Sequence, residues 1–275
     1  MTYLTARDGS EIYYKDWGSG RPIVMIHGWP LTADTWDPQA MALAEAGFRV
    51  IAYDRRGFGR SAQPWTGYSY DALADDLADV MEKTGASNDA ALVGFSMGGG
   101  EVARYMSRHS GRGVSRAVLV SSVVPYMLQT PDNPDGTPQS TFDAIAEGLK
   151  RDRPHFLRRT FLPQFLGAGF LTSPVSDEVM DDAARQAMMA GLKPTLDCAV
   201  AFATTDFRPD LPVFKVPTLI IHGTGDKTVP IGAAGRAAHR SIAGSTLIEY
   251  EGEPHGLNVT ASDRLTKDLL AFLRR

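Results

Sequence analysis

The chain has 275 residues, 43% apolar and 22% charged, enough for one large domain or two small ones around a sizeable core. Its 28 basic and 32 acidic residues leave a net charge of −4, which excludes the basic footprint of a nucleic-acid binder. The single cysteine, Cys198, excludes an intramolecular disulfide, and no apolar run reaches the roughly eighteen residues of a membrane span. Residues 1–12 mix charges with single apolar residues and offer no apolar core of signal-peptide length, so the expectation is a soluble cytoplasmic protein. Residues 21–26 read as a buried strand, and residues 32–46 follow with Trp36, Ala40, Leu43 and Ala44 at helical spacing. Residues 48–53 repeat the strand pattern. Residues 69–84 put Leu73, Leu77, Val80 and Met81 on one helical face and Asp71, Asp75, Asp76 and Asp79 outside, an acid-rich start that suits the helix dipole. Strand-like residues 90–95 and 116–120 enclose a helix-compatible stretch, 100–109. Runs apolar on both faces suit a parallel sheet covered by helices on each side, and the alternation argues for an open α/β sheet.

The rhythm breaks after Val120. Residues 124–212 hold a Pro/Gly/Asp loop at 130–138 and helix-like pieces rich in Phe, Leu and Met, but no convincing buried strand. The strand pattern resumes at Lys215, with strands at 217–222 and 246–250 and a last helix at 262–273. The economical division is a core of residues 1–123 and 213–275, with residues 124–212 inserted as a helical cap over the sheet.

The strongest chemical signal is Gly94-Phe95-Ser96-Met97-Gly98, set between a strand and a helix-compatible stretch. In that setting G-x-S-x-G is a nucleophile elbow: glycines leave room for a strained turn, and the helix N-terminus behind Ser96 favours a developing anion. A solvated serine on a plain glycine turn is the bland alternative. Six histidines could serve as its base. His109, His155 and His239 lie in polar helical stretches and read as surface residues, while His27 and His222 end predicted strands and read as packed beneath the site. His255 sits in Gly252-Glu253-Pro254-His255-Gly256, a loop beyond the last strand, where open α/β sheets gather their chemistry; His222 is its rival. Chain order after an elbow places an acid between serine and histidine, and Asp226 in His222-Gly223-Thr224-Gly225-Asp226 meets it. Glu251 and Glu253 read as exposed loop charges. The oxyanion donors expected are the backbone N–H groups of Met97 and of Trp29 in His27-Gly28-Trp29-Pro30, since Pro30 has no N–H.

Two patterns fail. Gly57-Phe58-Gly59-Arg60-Ser61-Ala62 lacks the following helix a nucleotide would need, so Asp54-Arg55-Arg56-Gly57 reads as an ion-paired loop. Gly223-Thr224-Gly225-Asp226-Lys227-Thr228 lacks the P-loop spacing, and the histidines show no short paired metal-ligand spacing. Trp29, Phe95, Tyr126, Phe142, Phe161 and Phe202 are the candidates for pocket walls.

These stretches together resemble the cofactor-free (non-haem) haloperoxidases, or perhydrolases, and their aryl-esterase relatives. His27-Gly28-Trp29-Pro30, Tyr53-Asp54-Arg55-Arg56-Gly57-Phe58-Gly59-Arg60-Ser61, Val93-Gly94-Phe95-Ser96-Met97-Gly98 and Pro254-His255-Gly256-Leu257 carry the resemblance, with Gly100 to Tyr105, Asp132 to Gly136, Thr205 to Arg208 and His222 to Asp226. It spans nearly the whole chain and departs mainly between Gln164 and Leu196. The resemblance implies an α/β-hydrolase fold: a mostly parallel sheet flanked by helices, with a helical cap inserted after the sixth strand. It also implies an esterase on small acyl or aryl esters that makes a peracid when hydrogen peroxide replaces water. Ser96, Asp226 and His255 would be the triad and Trp29 and Met97 the oxyanion donors, with no cofactor and no metal. Its partners would be a small ester and peroxide, with no nucleic acid or membrane, and a homo-oligomer stays open. Epoxide hydrolases and haloalkane dehalogenases of this fold use an aspartate where Ser96 stands. Carbon–carbon, lactone and amide hydrolases, and a receptor with a vestigial triad, stay open.

Overall fold

The computed structural model describes residues 2–169 and 172–275; Met1, and Phe170 and Leu171 of the expected insertion, lie outside the described residues. Eight strands form one sheet: β1 Thr2–Thr5, β2 Glu11–Gly18, β3 Pro22–Ile26, β4 Arg49–Tyr53, β5 Ala90–Phe95, β6 Val114–Val120, β7 Thr218–Gly223 and β8 Thr246–Tyr250. Their order is β1-β2-β4-β3-β5-β6-β7-β8. β2 pairs antiparallel with β1 and β4, and every other pairing is parallel. At the centre, Val24 of β3 stands in register with Ile51 of β4 and Leu92 of β5. β5 and β7 are buried along their whole length, which is why they read as unbroken apolar runs. The β1–β2 pair is not among the strands expected above. Its strands lie at the sheet edge with one polar face, so Glu11, Lys15 and Asp16 interrupt the apolar pattern.

The helices are α1 Asp37–Glu45, α2 Tyr70–Lys83, α3 Met97–Arg108, α4 Gln139–His155, α5 Leu162–Phe165, α6 Asp177–Met188, α7 Leu192–Thr204, α8 Gly235–Ser241, α9 Leu257–Thr260 and α10 Ser262–Leu273. α1 packs with α10 and α2 with α3, flanking the sheet. α2 starts at an N-cap, Ser69, whose hydroxyl accepts the Ala72 N–H. It buries Leu73, Leu77, Val80 and Met81 as expected, each worth about 1.5–3 kcal/mol. The expected outward acids are corrected in part. Asp76 and Asp79 are buried, because Arg56 and Arg7 reach them from distant loops. α3 starts three residues earlier than the sequence suggests, at Met97, since the turn at Ser96 feeds directly into it.

Between β6 and β7 the described residues hold no strand, only two isolated bridges around residues 128–137. α4 kinks at Asp152 (φ −158°, ψ 83°), two residues before the Pro154 ring that a straight helix could not accommodate. It continues through a π-helical segment, Phe156–Phe161, into α5. The Trp29–Pro30 and Val124–Pro125 peptides are cis. No helix among the described residues is long and apolar enough to cross a membrane.

Candidate active site

β3 has β4 on one side and β5 on the other, so the chain leaves neighbouring carboxyl ends in opposite directions. The crevice that opens there is the usual site in such sheets. Ser96 follows β5 with φ 53° and ψ −117°, a conformation that costs a serine about 1–3 kcal/mol. The sheet holds it there. Ser96 N–H donates to Val120 O at 2.8 Å, and Ser96 O accepts from Gly99 N–H at 3.0 Å and Val123 N–H at 3.3 Å. The flanking glycines are steric necessities. A Cβ on Gly94 would lie 2.5 Å from Gly98 O, and one on Gly98 would lie 2.5 Å from Ile26 O.

The expected trio is brought together. Ser96 Oγ lies 2.8 Å from His255 Nε2, and His255 Nδ1 lies 2.7 Å from Asp226 Oδ2. All three residues are buried. A carboxylate only accepts, so Nδ1 carries the imidazole proton and Nε2 is free to take one from the hydroxyl. Asp226 Oδ1 accepts the Thr228 and Val229 N–H groups, each at 2.8 Å. Burial alone would push this carboxyl up. The charge of His255 and the hydrogen bonds from His222 and His255 outweigh it, and hold the group well below the usual carboxylate range.

His222 makes no hydrogen bond to Ser96; its Nε2 lies 2.8 Å from Val229 O and 3.2 Å from Asp226 Oδ2. His155 and His239 are exposed, as expected of surface residues, whereas His109 is half-buried and bonds Asp75 at 2.8 Å. Glu251 is exposed, and Glu253 is half-buried, accepting the Thr260 hydroxyl at 2.6 Å.

The two expected oxyanion donors share one construction. In each, the carbonyl on the far side of the peptide plane is held by two hydrogen bonds, which fixes where its N–H points. For Met97 that carbonyl is Ser96 O, with the partners given above. For Trp29 it is Gly28 O, which accepts from Leu31 N–H at 3.0 Å and His27 Nδ1 at 2.9 Å. His27 Nε2 in turn accepts the Arg55 N–H at 2.9 Å, which places the ring proton on Nδ1. Burial, followed by the Arg55 guanidinium, keeps the His27 pKa well below the ordinary value, so the ring stays neutral. Neither Trp29 N–H nor Met97 N–H has an acceptor among the described residues.

Arg55 pairs with Glu101 of α3 in a fully buried ion pair and donates to His27 O at 2.6 Å. Removing one member of such a pair costs about 3–5 kcal/mol. Asp54 pairs with Arg60 and Arg56 with Asp76, so the segment after β4 is ion-paired throughout. The support that Arg55 gives His27 was missed in the sequence, because Glu101 lies 46 residues beyond it.

Ser96 and His255 open into a cavity of about 310 Å³. Trp29, Phe142, Phe161 and Phe202 line it, as expected. Phe95 and Tyr126 do not. Phe95 faces the interior against Trp36, Phe165 and His255, and Tyr126 stacks beneath the Arg208 guanidinium at 5.1 Å. Met127, Phe156 and Lys227 take part instead, without a sequence signal to mark them. Among the described residues no group of three His, Cys, Asp or Glu side chains could hold a metal ion. Burial pushes the Cys198 thiol up to about 12, which leaves it a poor nucleophile.

A family model described as the alpha/beta hydrolase fold matches residues 21–261. The chain is 43% identical to a non-heme chloroperoxidase of Kitasatospora aureofaciens, over 100% of both chains. It is also 43% identical to a bifunctional esterase/perhydrolase of Acinetobacter calcoaceticus, again over 100% of both. The crystal structure of a bromoperoxidase from Bacillus anthracis, 44% identical and covered completely in both directions, superposes with a TM-score of 0.95. With an elbow, a mostly parallel sheet and relatives of this closeness along its whole length, the chain belongs to the α/β-hydrolase family, among its non-heme haloperoxidases and perhydrolases.

Proposed function

We propose that the chain is a serine esterase for small acyl or aryl esters that acts as a perhydrolase when hydrogen peroxide replaces water. The observation that carries this reading is the unbroken relay from Asp226 Oδ2 through His255 to Ser96 Oγ, at 2.7 and 2.8 Å. Ser96 attacks the ester carbonyl as His255 Nε2 takes its proton, and Asp226 stabilises the imidazolium. The oxyanion forms opposite the Trp29 and Met97 N–H groups, each such donor being worth about 2.7–4 kcal/mol. His255 then protonates the departing alcohol, leaving an acyl group on Ser96. Water releases the acid, and hydrogen peroxide releases the peracid by the same deprotonation. The free peracid gives one oxygen atom to bromide or chloride and, with a proton, yields carboxylic acid and hypohalous acid. The relatives' names, chloroperoxidase and esterase/perhydrolase, support both outcomes. No step calls on a cofactor.

The same proposal divides the chain into a hydrolase core, residues 1–123 and 213–275, and a cap, residues 124–212. Phe142, Phe156, Phe161 and Phe202, which wall the cavity over Ser96, support it. A cytoplasmic location fits the lone buried cysteine.

The test is turnover of p-nitrophenyl acetate with and without peroxide, beside organophosphate labelling. The wild type should turn over and carry the label on Ser96, and Ser96→Ala should lose nearly all activity. Labelling at Ser121 or Ser122 would overturn the assignment.

A further inference from the structure

His222 ends at the triad carboxylate, yet the proposed mechanism leaves it unused. It lies in β7, four residues before Asp226, and is wholly buried. Its Nε2 faces two acceptors, Val229 O at 2.8 Å and Asp226 Oδ2 at 3.2 Å, so that nitrogen carries the ring proton, donating it to Val229 O with the Asp226 carboxylate close beside it. Nδ1 is buried without a partner, and a proton placed on it would find no acceptor. Gly235 closes that side of the ring, since a Cβ there would lie 2.8 Å from Nδ1. Asp226 Oδ2 therefore faces two imidazoles at once, accepting from His255 Nδ1 at 2.7 Å with the protonated His222 Nε2 at 3.2 Å.

We propose that His222 is a positioning residue of this site, holding the Asp226 carboxylate against His255 and drawing off part of the charge that stabilises the His255 imidazolium. The proposal rests on the triad reading given above. The charged groups nearby do not offer an alternative to His222. Glu249 stands in register with it on β8 but is ion-paired with Arg236 of α8 at 2.6 Å. Lys227, next to Asp226, forms no ion pair among the described residues, and the Phe95 and Phe165 rings against His255 carry no charge. Without His222, Oδ2 keeps more of its charge, the imidazolium is better stabilised, and His255 holds its proton to higher pH. The acid limb of kcat/KM should then move upward.

The experiment compares the full-length wild type with His222→Met and His222→Gln on p-nitrophenyl acetate across the acid range. His222→Met fills similar space without a donor. It should move the acid limb up by about half a pH unit and lower kcat about three- to tenfold. His222→Gln places an N–H near the lost Nε2–H and should restore the limb and most of kcat. If His222→Met loses activity with its acid limb unmoved, His222 only fills space and the proposal is overturned. The unmodified protein supplies a second test, independent of whether the variants fold. Nitrogen NMR of labelled histidine should show His222 protonated on Nε2, and a proton on Nδ1 instead would overturn the proposal. Ester turnover by Ser96→Ala would defeat the triad reading; an unmoved acid limb in an enzyme that still labels at Ser96 defeats this inference alone.

Discussion

Asp226→Asn keeps the shape of the carboxylate and tests which proton arrangement the site requires. At Oδ1 stand two backbone donors, the Thr228 and Val229 N–H groups, each at 2.8 Å. Neither can become an acceptor. An amide nitrogen placed there would strand two buried donors, at about 1–3 kcal/mol each, so the asparagine oxygen must occupy that position. The amide NH₂ is thereby forced to the Oδ2 position, facing His255 Nδ1, which lies 2.7 Å from Oδ2 in the wild type. His255 can meet a donor only by moving its own proton to Nε2. Nε2 then points a proton at Ser96 Oγ and cannot accept one. His222 keeps its bond to Val229 O at 2.8 Å, so the local fold survives the change. The cost is a wrong tautomer in place of a lost structure, and such a change lowers kcat by about 10⁴-fold, or ~5.5 kcal/mol of transition-state stabilisation. The assay is kcat on p-nitrophenyl acetate beside the thermal midpoint of the same preparations. A folded Asp226→Asn protein that retains more than about a tenth of the wild-type kcat would refute the tautomer argument.

The depressed Asp226 carboxyl also predicts an acid-sensitive fold. Because its folded-state pKa lies below the unfolded one, it stabilises fully above about 3.9 and loses that contribution as pH falls through the folded value. Urea midpoints should therefore fall more steeply with acid in the wild type than in Asp226→Asn, and parallel curves would refute this. Pro30→Leu should lower peracid formation relative to acid release about two- to twelvefold if the Trp29 carbonyl accepts one hydrogen bond from peroxide, worth about 0.5–1.5 kcal/mol. An unchanged ratio from one acetate ester at fixed peroxide would make Pro30 only a turn residue. Lys227 brings a cation without an ion pair among the described residues to a cavity lined mostly by apolar side chains. Lys227→Glu should lower kcat/KM for the p-nitrophenyl half-ester of succinate, relative to the acetate ester, by about two- to fivefold; equal effects on both esters would contradict it.

What the sequence reveals here depends on how locally each feature is determined. β3, β5 and β7 are legible because burial on both faces demands unbroken apolar runs. Ser96, Asp226 and His255 are legible because each stands just beyond the carboxyl end of a strand, and these ends converge at one end of the sheet. The polar faces of Asp76 and Asp79 mislead, since the arginines that draw them inside lie 20 and 72 residues away. The cavity walls are the least legible. Phe95 and Phe161 are both aromatic residues near Ser96, yet only Phe161 lines the cavity. Phe161 reaches it from the π-helical turn after the kink at Asp152, which depends on tertiary packing and leaves no periodic trace, whereas Phe95 of β5 packs against Trp36 and Phe165.

The groups proposed to do the chemistry and the groups that shape the cavity come from different parts of the chain, and they are held by different forces. Ser96, Met97, Trp29, Asp226 and His255 all stand just beyond the ends of strands, where hydrogen bonds fix them in place. The strained backbone of Ser96 persists because Val120 and Val123 grip it from the neighbouring strand and its continuation. The same Val123 N–H that holds Ser96 O also directs the Met97 N–H, so strain at the nucleophile and aim at the oxyanion share one set of bonds. Such preorganisation costs nothing at the moment of reaction, because the folded sheet has already set the geometry. Met127, Phe142, Phe156, Phe161 and Phe202 come from the segment between β6 and β7 instead, and they meet the cavity through non-directional apolar packing. A substitution there changes volume and shape without removing a hydrogen bond from the relay. The segment between β6 and β7 can therefore change while the residues at the strand ends keep their geometry.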